Sequence, residues 1–395
     1  MFENLTSAPA DKILALIGLF RADPRPGKID LGVGVYKDNH GNTPVMRAVR
    51  EAEKRLLASQ ETKTYVGLAG DLAFNAAMAR LVFGPETDMA RIRTAQTPGG
   101  SGALRLVAEL LRRARPGATV WLSDPTWPNH APILTDGGLN VRNYPYFDAE
   151  RGTVRFESMM AALEADAASG DVVLLHGCCH NPTGANLDSA QWHEVADLLV
   201  RKGLLPFIDI AYQGFGDGLD ADAEGLRIVA RKVREMVVAA SCSKNFAVYR
   251  DRVGAAMIMA ADATQADIVS SQVLAAARTL YSMPPDHGAA AVRIVLEDPA
   301  LRADWEAELE AMRQRMLALR VGFADALRRH SNTDRFDFIA SHRGMFSRLG
   351  LTEKQVERLR EEHGVYMVGD SRINVAGLPE DRMDDLARAI VSVLD

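Results

Sequence analysis

Leu205-Pro206-Phe207-Ile208-Asp209-Ile210-Ala211-Tyr212 and, further on, Val237-Val238-Ala239-Ala240-Ser241-Cys242-Ser243-Lys244 decide the fold. Each is an apolar run with no polar alternation that closes on residues able to do chemistry. Similar runs stand at Thr119-Val120-Trp121-Leu122, Asp171-Val172-Val173-Leu174-Leu175 and Ala255-Ala256-Met257-Ile258, with helical patterns between them. Strands that are apolar at every position are buried on both faces, which predicts an α/β core whose mostly parallel central sheet is covered by helices. Ligands of such sheets bind outside the carboxyl ends of the strands. Trp127, Asn181, Asp209 and Lys244 are expected just beyond those ends.

The polar residues near these ends form an ordered set. Asp209 ends one run, Lys244 follows the next within Ser241-Cys242-Ser243-Lys244-Asn245-Phe246, and Arg252 stands eight residues further on. Upstream lie His180-Asn181-Pro182-Thr183-Gly184 and Thr97-Pro98-Gly99-Gly100-Ser101-Gly102, the latter opening into the helical run Ala103-Leu104-Arg105-Leu106-Val107. A lysine that condenses with an aldehyde, a carboxylate for a ring nitrogen, and a cation with hydroxyls for a phosphate are what pyridoxal phosphate requires. Glycines ahead of a helix add backbone N–H groups and the positive end of the helix dipole.

On these motifs the chain resembles the aspartate and aromatic amino-acid aminotransferases, a fold-type-I group dependent on pyridoxal phosphate. The resemblance runs from Met1-Phe2-Glu3-Asn4 and Pro9-Ala10-Asp11-Lys12-Ile13-Leu14, through Leu31-Gly32-Val33-Gly34-Val35-Tyr36-Lys37-Asp38, to Ser371-Arg372-Ile373-Asn374-Val375-Ala376-Gly377. It implies that Lys244 bonds the cofactor and then moves the substrate's α-proton. Asp209 would pair with the ring nitrogen, with His130 behind it, while Tyr212 and Asn181 would hold the phenolic oxygen and Trp127 stack on the ring. Gly100, Ser101, Ser241 and Arg252 would take the phosphate, with Ser243 a looser candidate and Tyr65 reaching across from a second subunit. Arg372 would clamp the substrate α-carboxylate beside Gly34, Trp127 and Asn181. Arg278, donated by the neighbouring subunit, would receive a distal carboxylate. The implied active unit is a homodimer.

Composition agrees with such an enzyme. The 395 residues are 47% hydrophobic and 25% charged, ordinary for a globular protein of this length. A net charge of −6 without a basic block offers no electrostatic footprint for nucleic acid or an anionic membrane. No apolar run approaches the ~20 residues that cross a bilayer, and the first residues carry no signal-peptide pattern, so a cytoplasmic location is expected. Cys178, Cys179 and Cys242 lack the spacing of a disulfide framework or a zinc site and read as reduced core residues, so no metal is expected.

Pro299 to His330 reads as one long helix with Leu301, Trp305, Leu309, Met312, Met316 and Leu319 on its buried stripe. By resemblance it links a large cofactor domain, residues 41–310, to a smaller α/β domain made from both termini, residues 13–40 with 311–395. Helices are expected at Gln355–His363 and Asp381–Leu394, and residues 1–12 would form an arm to the partner subunit. Two arginines for carboxylates suit aspartate, glutamate and 2-oxoglutarate. Met283 and the runs Arg343-Gly344-Met345-Phe346-Ser347-Arg348 and Val368-Gly369-Asp370-Ser371-Arg372 look more like bacterial aromatic aminotransferases. The preferred reading transaminates tyrosine, phenylalanine and tryptophan, and aspartate as well; a strict aspartate enzyme is the alternative. A lyase on this fold would share Lys244, Asp209 and Arg252, and a regulator would need a basic DNA-reading unit of roughly 60 residues.

Overall fold

The computed structural model describes residues 2–7 and 11–394; parts of the expected arm (Met1 and residues 8–10) and Asp395 lie outside the described residues. At the centre stands a seven-stranded sheet of β1 (Ile92–Pro98), β2 (Thr119–Asp124), β3 (Asn140–Pro145), β4 (Val172–His176), β5 (Leu205–Ile210), β6 (Met236–Ser241) and β7 (Val253–Met259). Their order across the sheet is β1-β7-β6-β5-β4-β2-β3. Neighbours from β6 to β3 run parallel, and β7 is antiparallel to both β6 and β1. Residues 242–252 between β6 and β7 hold no crossover helix, and a parallel return needs a dozen or more residues, so the chain reverses there. Lys244 and Arg252 both sit in that reversal.

The apolar runs of the sequence became the five inner strands. Phe207 faces one apolar cluster and Ile208 the other, which is why the run shows no alternation. On one face α1 (Gly99–Ala114) and α2 (Ala263–Leu280) bury Leu104, Val107, Val273 and Ala277 against Val120, Leu174 and Ala239. Sequence reading missed β1 and β3, the two edges. Asn140, Arg142 and Asn143 leave β3 with little apolar character, and β1 carries buried Gln96, whose amide donates to Pro285 O at 2.6 Å. Asp209 lies within β5 rather than beyond it, and α1 begins at Gly99 itself instead of after the glycines.

The long helix α3 spans Pro299–Ser331. Asp298 caps it by accepting N–H bonds from Ala300 and Leu301 at 2.9 and 3.0 Å, and Pro299 occupies the first turn, where a missing N–H costs nothing. All six residues of its expected stripe are buried. Trp305 on this stripe stacks on Phe246 with centroids 4.4 Å apart and donates to Asn245 O at 2.7 Å, so α3 braces the Lys244 turn from behind.

Both chain ends meet beside the sheet. Ile29–Asp30 pairs in parallel with Val365–Tyr366, and Phe346–Arg348 pairs antiparallel with Arg372–Asn374. Asn374 donates its backbone N–H to Leu31 O at 2.7 Å and its amide to Val33 and Val35 carbonyls at 2.6 and 2.7 Å. These bonds fix the bend that carries Gly34. The terminal helices span Glu353–His363 and Met383–Ser392, the latter shorter than its sequence pattern because Glu380–Arg382 winds as a 3₁₀ turn.

Candidate active site

A cleft opens at the carboxyl ends of β4, β5 and β6. Gly34, Gly100, Ser101, Trp127, Asn181, Asp209, Tyr212, Ser241, Ser243, Lys244 and Arg252 line it. Most of the expected site residues thus converge from segments up to two hundred residues apart. Lys244 is its focus. The Nζ lies 4.7 Å over the Tyr212 ring and makes no hydrogen bond among the described residues. Burial pulls its pKa down from 10.5 to about 8; Asp209 opposes that shift and Arg252 adds to it. An amine so placed is more readily the free base that attacks a carbonyl.

Asp209 Oδ2 lies 2.9 Å from His130 Nε2. Burial works against the carboxylate, yet the His130 hydrogen bond and the charge of Lys244 leave its pKa below the usual carboxylate range. An ionised Asp209 only accepts, so His130 Nε2 carries the proton and His130 Nδ1 accepts from Thr126 Oγ1 at 2.7 Å. Thr126 then accepts from His176 Nε2 at 3.2 Å, and His176 Nδ1 accepts from the Asn181 N–H at 3.4 Å. Burial drives the pKa of His176 down to about 3, which keeps it neutral as this relay requires. His176 ends β4 and lines the cleft, a place the strand-end rule covers but the motif reading passed over.

At the other end of the cleft the backbone closes tightly. A Cβ on Gly254 would fall 2.5 Å from Gly99 C and 2.8 Å from Gly100 N, so glycine lets β7 approach the start of α1. Arg252, held at φ 57°, donates to Tyr249 O at 3.0 Å and pairs with no carboxylate among the described residues. Its guanidinium flanks Gly99, where an added Cβ would meet Nη2 at 2.6 Å. Free donors, hydroxyls of Ser101 and Ser241 and a helix N-terminus here suit an anion.

Arg372 stands behind the Tyr212 wall, not on the cleft lining. Its guanidinium lies 4.5 Å over the Phe346 ring and donates to Gly32 O at 3.0 Å, while Nε is buried without a partner among the described residues. Phe346 reaches Tyr212 edge-on at 6.1 Å and would touch a Cβ on Gly34 at 3.0 Å. Asn181 Nδ2 donates to Tyr212 Oη at a long 3.5 Å, and Asn181 Oδ1 is buried and unpaired.

Two further expected residues, besides Arg372, stay outside the cleft lining. Tyr65 is 90% exposed, and Arg278, also exposed, donates to Ser282 Oγ at 2.6 Å. The Val66 N–H approaches Met283 Sδ at 3.2 Å, so these two segments share one surface. All three cysteines are free and buried as expected; Cys178 also lines the cleft, whereas Cys242, adjacent in sequence to Ser241 and Ser243, points to Met78 Sδ at 3.7 Å. Alternation along the extended chain sends Cys242 into the core between two serines that face the cleft.

The family model for aminotransferase class I and II matches residues 26–390. The chain belongs to this family. The aromatic-amino-acid aminotransferase of Paracoccus denitrificans is 56% identical to this aminotransferase over the whole of both chains, and the aspartate aminotransferase of Escherichia coli (strain K12) is 51% identical over the same extent. A solved aromatic-amino-acid aminotransferase from Burkholderia pseudomallei, covalently bound to pyridoxal phosphate, superposes with a TM-score of 0.97 at 43% identity and full coverage of both chains. The expected fold and transaminase class stand, and pyridoxal phosphate is the cofactor. The site accepts that group chemically: among the described residues it holds an amine without a hydrogen bond and a guanidinium without a carboxylate, the latter beside glycine backbone.

Proposed function

We propose that this aminotransferase moves the amino group of tyrosine, phenylalanine, tryptophan and aspartate to 2-oxoglutarate in two half-reactions at one site. The observation that carries the reading is the Lys244 amine, unbonded and depressed in pKa, between the Asp209–His130 pair and the Arg252–Gly99 anion cradle. When bound, pyridoxal phosphate supplies an aldehyde for the substrate amine and a sink for the electrons released at the α-carbon. Lys244 Nζ would hold the cofactor, and its free amine would take the proton from the substrate α-carbon. Asp209, kept an anion by its hydrogen bond to His130, would pair with the ring nitrogen. Tyr212 and Asn181 donate to the phenolic oxygen, with Asn181 also near the substrate. Gly100, Ser101, Ser241 and Arg252 would hold the phosphate, and Trp127 would cover the ring. Arg372 would take the α-carboxylate beside Gly34, since a planar fork orients a carboxylate as an ammonium does not, and its Nε has no partner among the described residues.

Arg278 belongs to the distal end of the substrate and Tyr65 to the phosphate, both of them in the partner's cleft of a homodimer. Their exposure supports this, as does that of Phe2 and Leu5 in the expected arm. The division into a large domain, 41–310, and a small one, 13–40 with 311–395, follows the pairing of the chain ends. No helix of the described residues is long and apolar enough to cross a membrane, and a cytoplasmic home is the reading this supports. The hydrogen bond from Arg278 to Ser282 gives the guanidinium a partner when no distal carboxylate is present, which favours acceptance of aromatic side chains.

The test is the visible absorbance of the holoenzyme titrated with aspartate and, separately, phenylalanine, with no oxo acid added. Conversion of the cofactor to its amine form by both supports the dual reading. Conversion by aspartate alone makes it a strict aspartate enzyme, and conversion by neither overturns the assignment. Lys244→Ala is expected to retain cofactor and lose turnover.

A further inference from the structure

Cys178 and Cys179 play no part in the chemistry above. They follow β4 in the turn His176-Gly177-Cys178-Cys179-His180, both as buried free thiols. Cys178 contributes to the cleft wall, and Cys179 sits directly behind it at φ 50°, its Sγ 3.9 Å from Tyr212 O. The two Sγ atoms and a carboxylate oxygen of Asp222 all lie within 4.8 Å of one another. Three backbone N–H groups, of Gly214, Gly216 and Asp217, already occupy the Asp222 oxygens at 2.8 Å, which leaves that carboxylate little capacity as a ligand.

The electrostatics around the pair are unusual. Arg320 is wholly buried and has no carboxylate within 4.0 Å among the described residues. Its Nη atoms donate to the carbonyls of Ile339, Gly344 and Phe346 and to Ser347 Oγ, and its Nε has no partner. Burial raises the Cys179 pKa, and the Arg320 charge opposes this by favouring the thiolate. Burial likewise lifts Asp222 to about 6, and the hydrogen bond to Cys179 together with burial raises the Cys178 pKa, so both sulfurs rest as thiols. Two adjacent thiols, their sulfurs within 4.8 Å of each other and one of them on the cleft wall, offer paired soft donors to a soft electrophile.

We propose that Cys178 and Cys179 form a two-sulfur binding site for trivalent arsenic, entered from the cleft, and that its occupation inhibits the enzyme. With arsenous acid, two As–O bonds break and two As–S bonds form. Each departing hydroxide leaves as water with one thiol proton, and arsenic stays trivalent, so no oxidant or reductant is needed. Adjacent residues supply only two soft donors, which a pyramidal arsenic accepts with its remaining hydroxyl. A tetrahedral zinc site would need a further strong ligand that Asp222, already taken, does not offer.

The experiment incubates holoenzyme with sodium arsenite, desalts it, and measures arsenic by plasma mass spectrometry. About one arsenic per chain is expected, falling below about a tenth in Cys178→Ala and in Cys179→Ala and unchanged in Cys242→Ala, because a single thiol holds arsenic weakly. Inhibition of the wild-type enzyme should reverse with 2,3-dimercaptopropanol and not with 2-mercaptoethanol at equal thiol concentration. Mapping the arsenic-bearing peptide of the wild-type chain decides the site even where a variant fails to fold. Arsenic on any peptide other than the one holding residues 178 and 179, no retained arsenic, or full retention in either folded single variant overturns the proposal.

Discussion

Replacing Lys244 with methionine should stabilise the cofactor-free protein while abolishing turnover. Lys244 is buried at the end of the cleft, and its pKa falls from 10.5 in the unfolded chain to about 8 in the fold, with burial the main cause. That difference corresponds to about 3 kcal/mol of strain on the folded state when the amine is protonated in both states. The Tyr212 ring, 4.7 Å below the ammonium, already contributes to this balance, and losing it leaves an expected gain of roughly 2–3 kcal/mol. The sign follows from proton linkage. Below pH 8 both folded and unfolded chains carry the proton and the wild-type penalty is complete. Between about 8 and 10.5 the fold has released it while the unfolded chain still holds it, so wild-type stability rises with pH and the advantage of the variant fades. Urea unfolding of both cofactor-stripped proteins, followed by tryptophan fluorescence at neutral and strongly alkaline pH, measures the difference. A variant no more stable at neutral pH, or an advantage that persists unchanged above pH 10.5, refutes the picture of a desolvated amine held ready for the cofactor.

Three further outcomes follow from the geometry. Arg372→Lys should raise KM for aspartate and phenylalanine alike by about 10- to 100-fold, because an ammonium loses the bidentate fit while keeping the charge; unequal effects on the two substrates would contradict a shared α-carboxylate role. Arg278→Leu should lower kcat/KM for aspartate by about a hundredfold or more and leave phenylalanine within a few-fold, as steady-state kinetics would read directly. Gly254→Ala should destabilise the fold by about 1–3 kcal/mol in thermal unfolding and weaken cofactor retention. Its Cβ would meet only backbone atoms, at 2.5–2.8 Å, that no side-chain rotation moves away.

The sequence by itself determined the inner five strands, the long helix and the chemical class of the site. Uninterrupted apolar runs leave a buried strand as the sensible reading, and Lys244, Asp209 and Arg252 need only sit at neighbouring strand ends to meet. The six-residue stripe of α3 was equally legible, since helical periodicity is local and its burial depends on no distant partner. The edges were not. β3 is polar because it faces solvent, and only hydrogen bonds to β2 make it a strand. The reversal of β7 rests on the absence of a crossover between residues 242 and 252, a negative signal that no motif carries.

Tertiary structure alone decided how the site is tuned. The relay from Asp209 through His130, Thr126 and His176 to the Asn181 backbone joins residues from three segments, and the two histidine tautomers in it fix one another. That Cys178 reaches the cleft while Cys242 turns to Met78 depends on which face of the chain each residue presents, and neighbouring letters in the sequence do not say. The same holds for Arg320, an ordinary letter on a helix that becomes a buried cation with no acid partner among the described residues only because α3 carries it under the strand of Phe346. Residue identity supplied the reacting groups; desolvation and the long-range contacts that enforce it supplied their charge states.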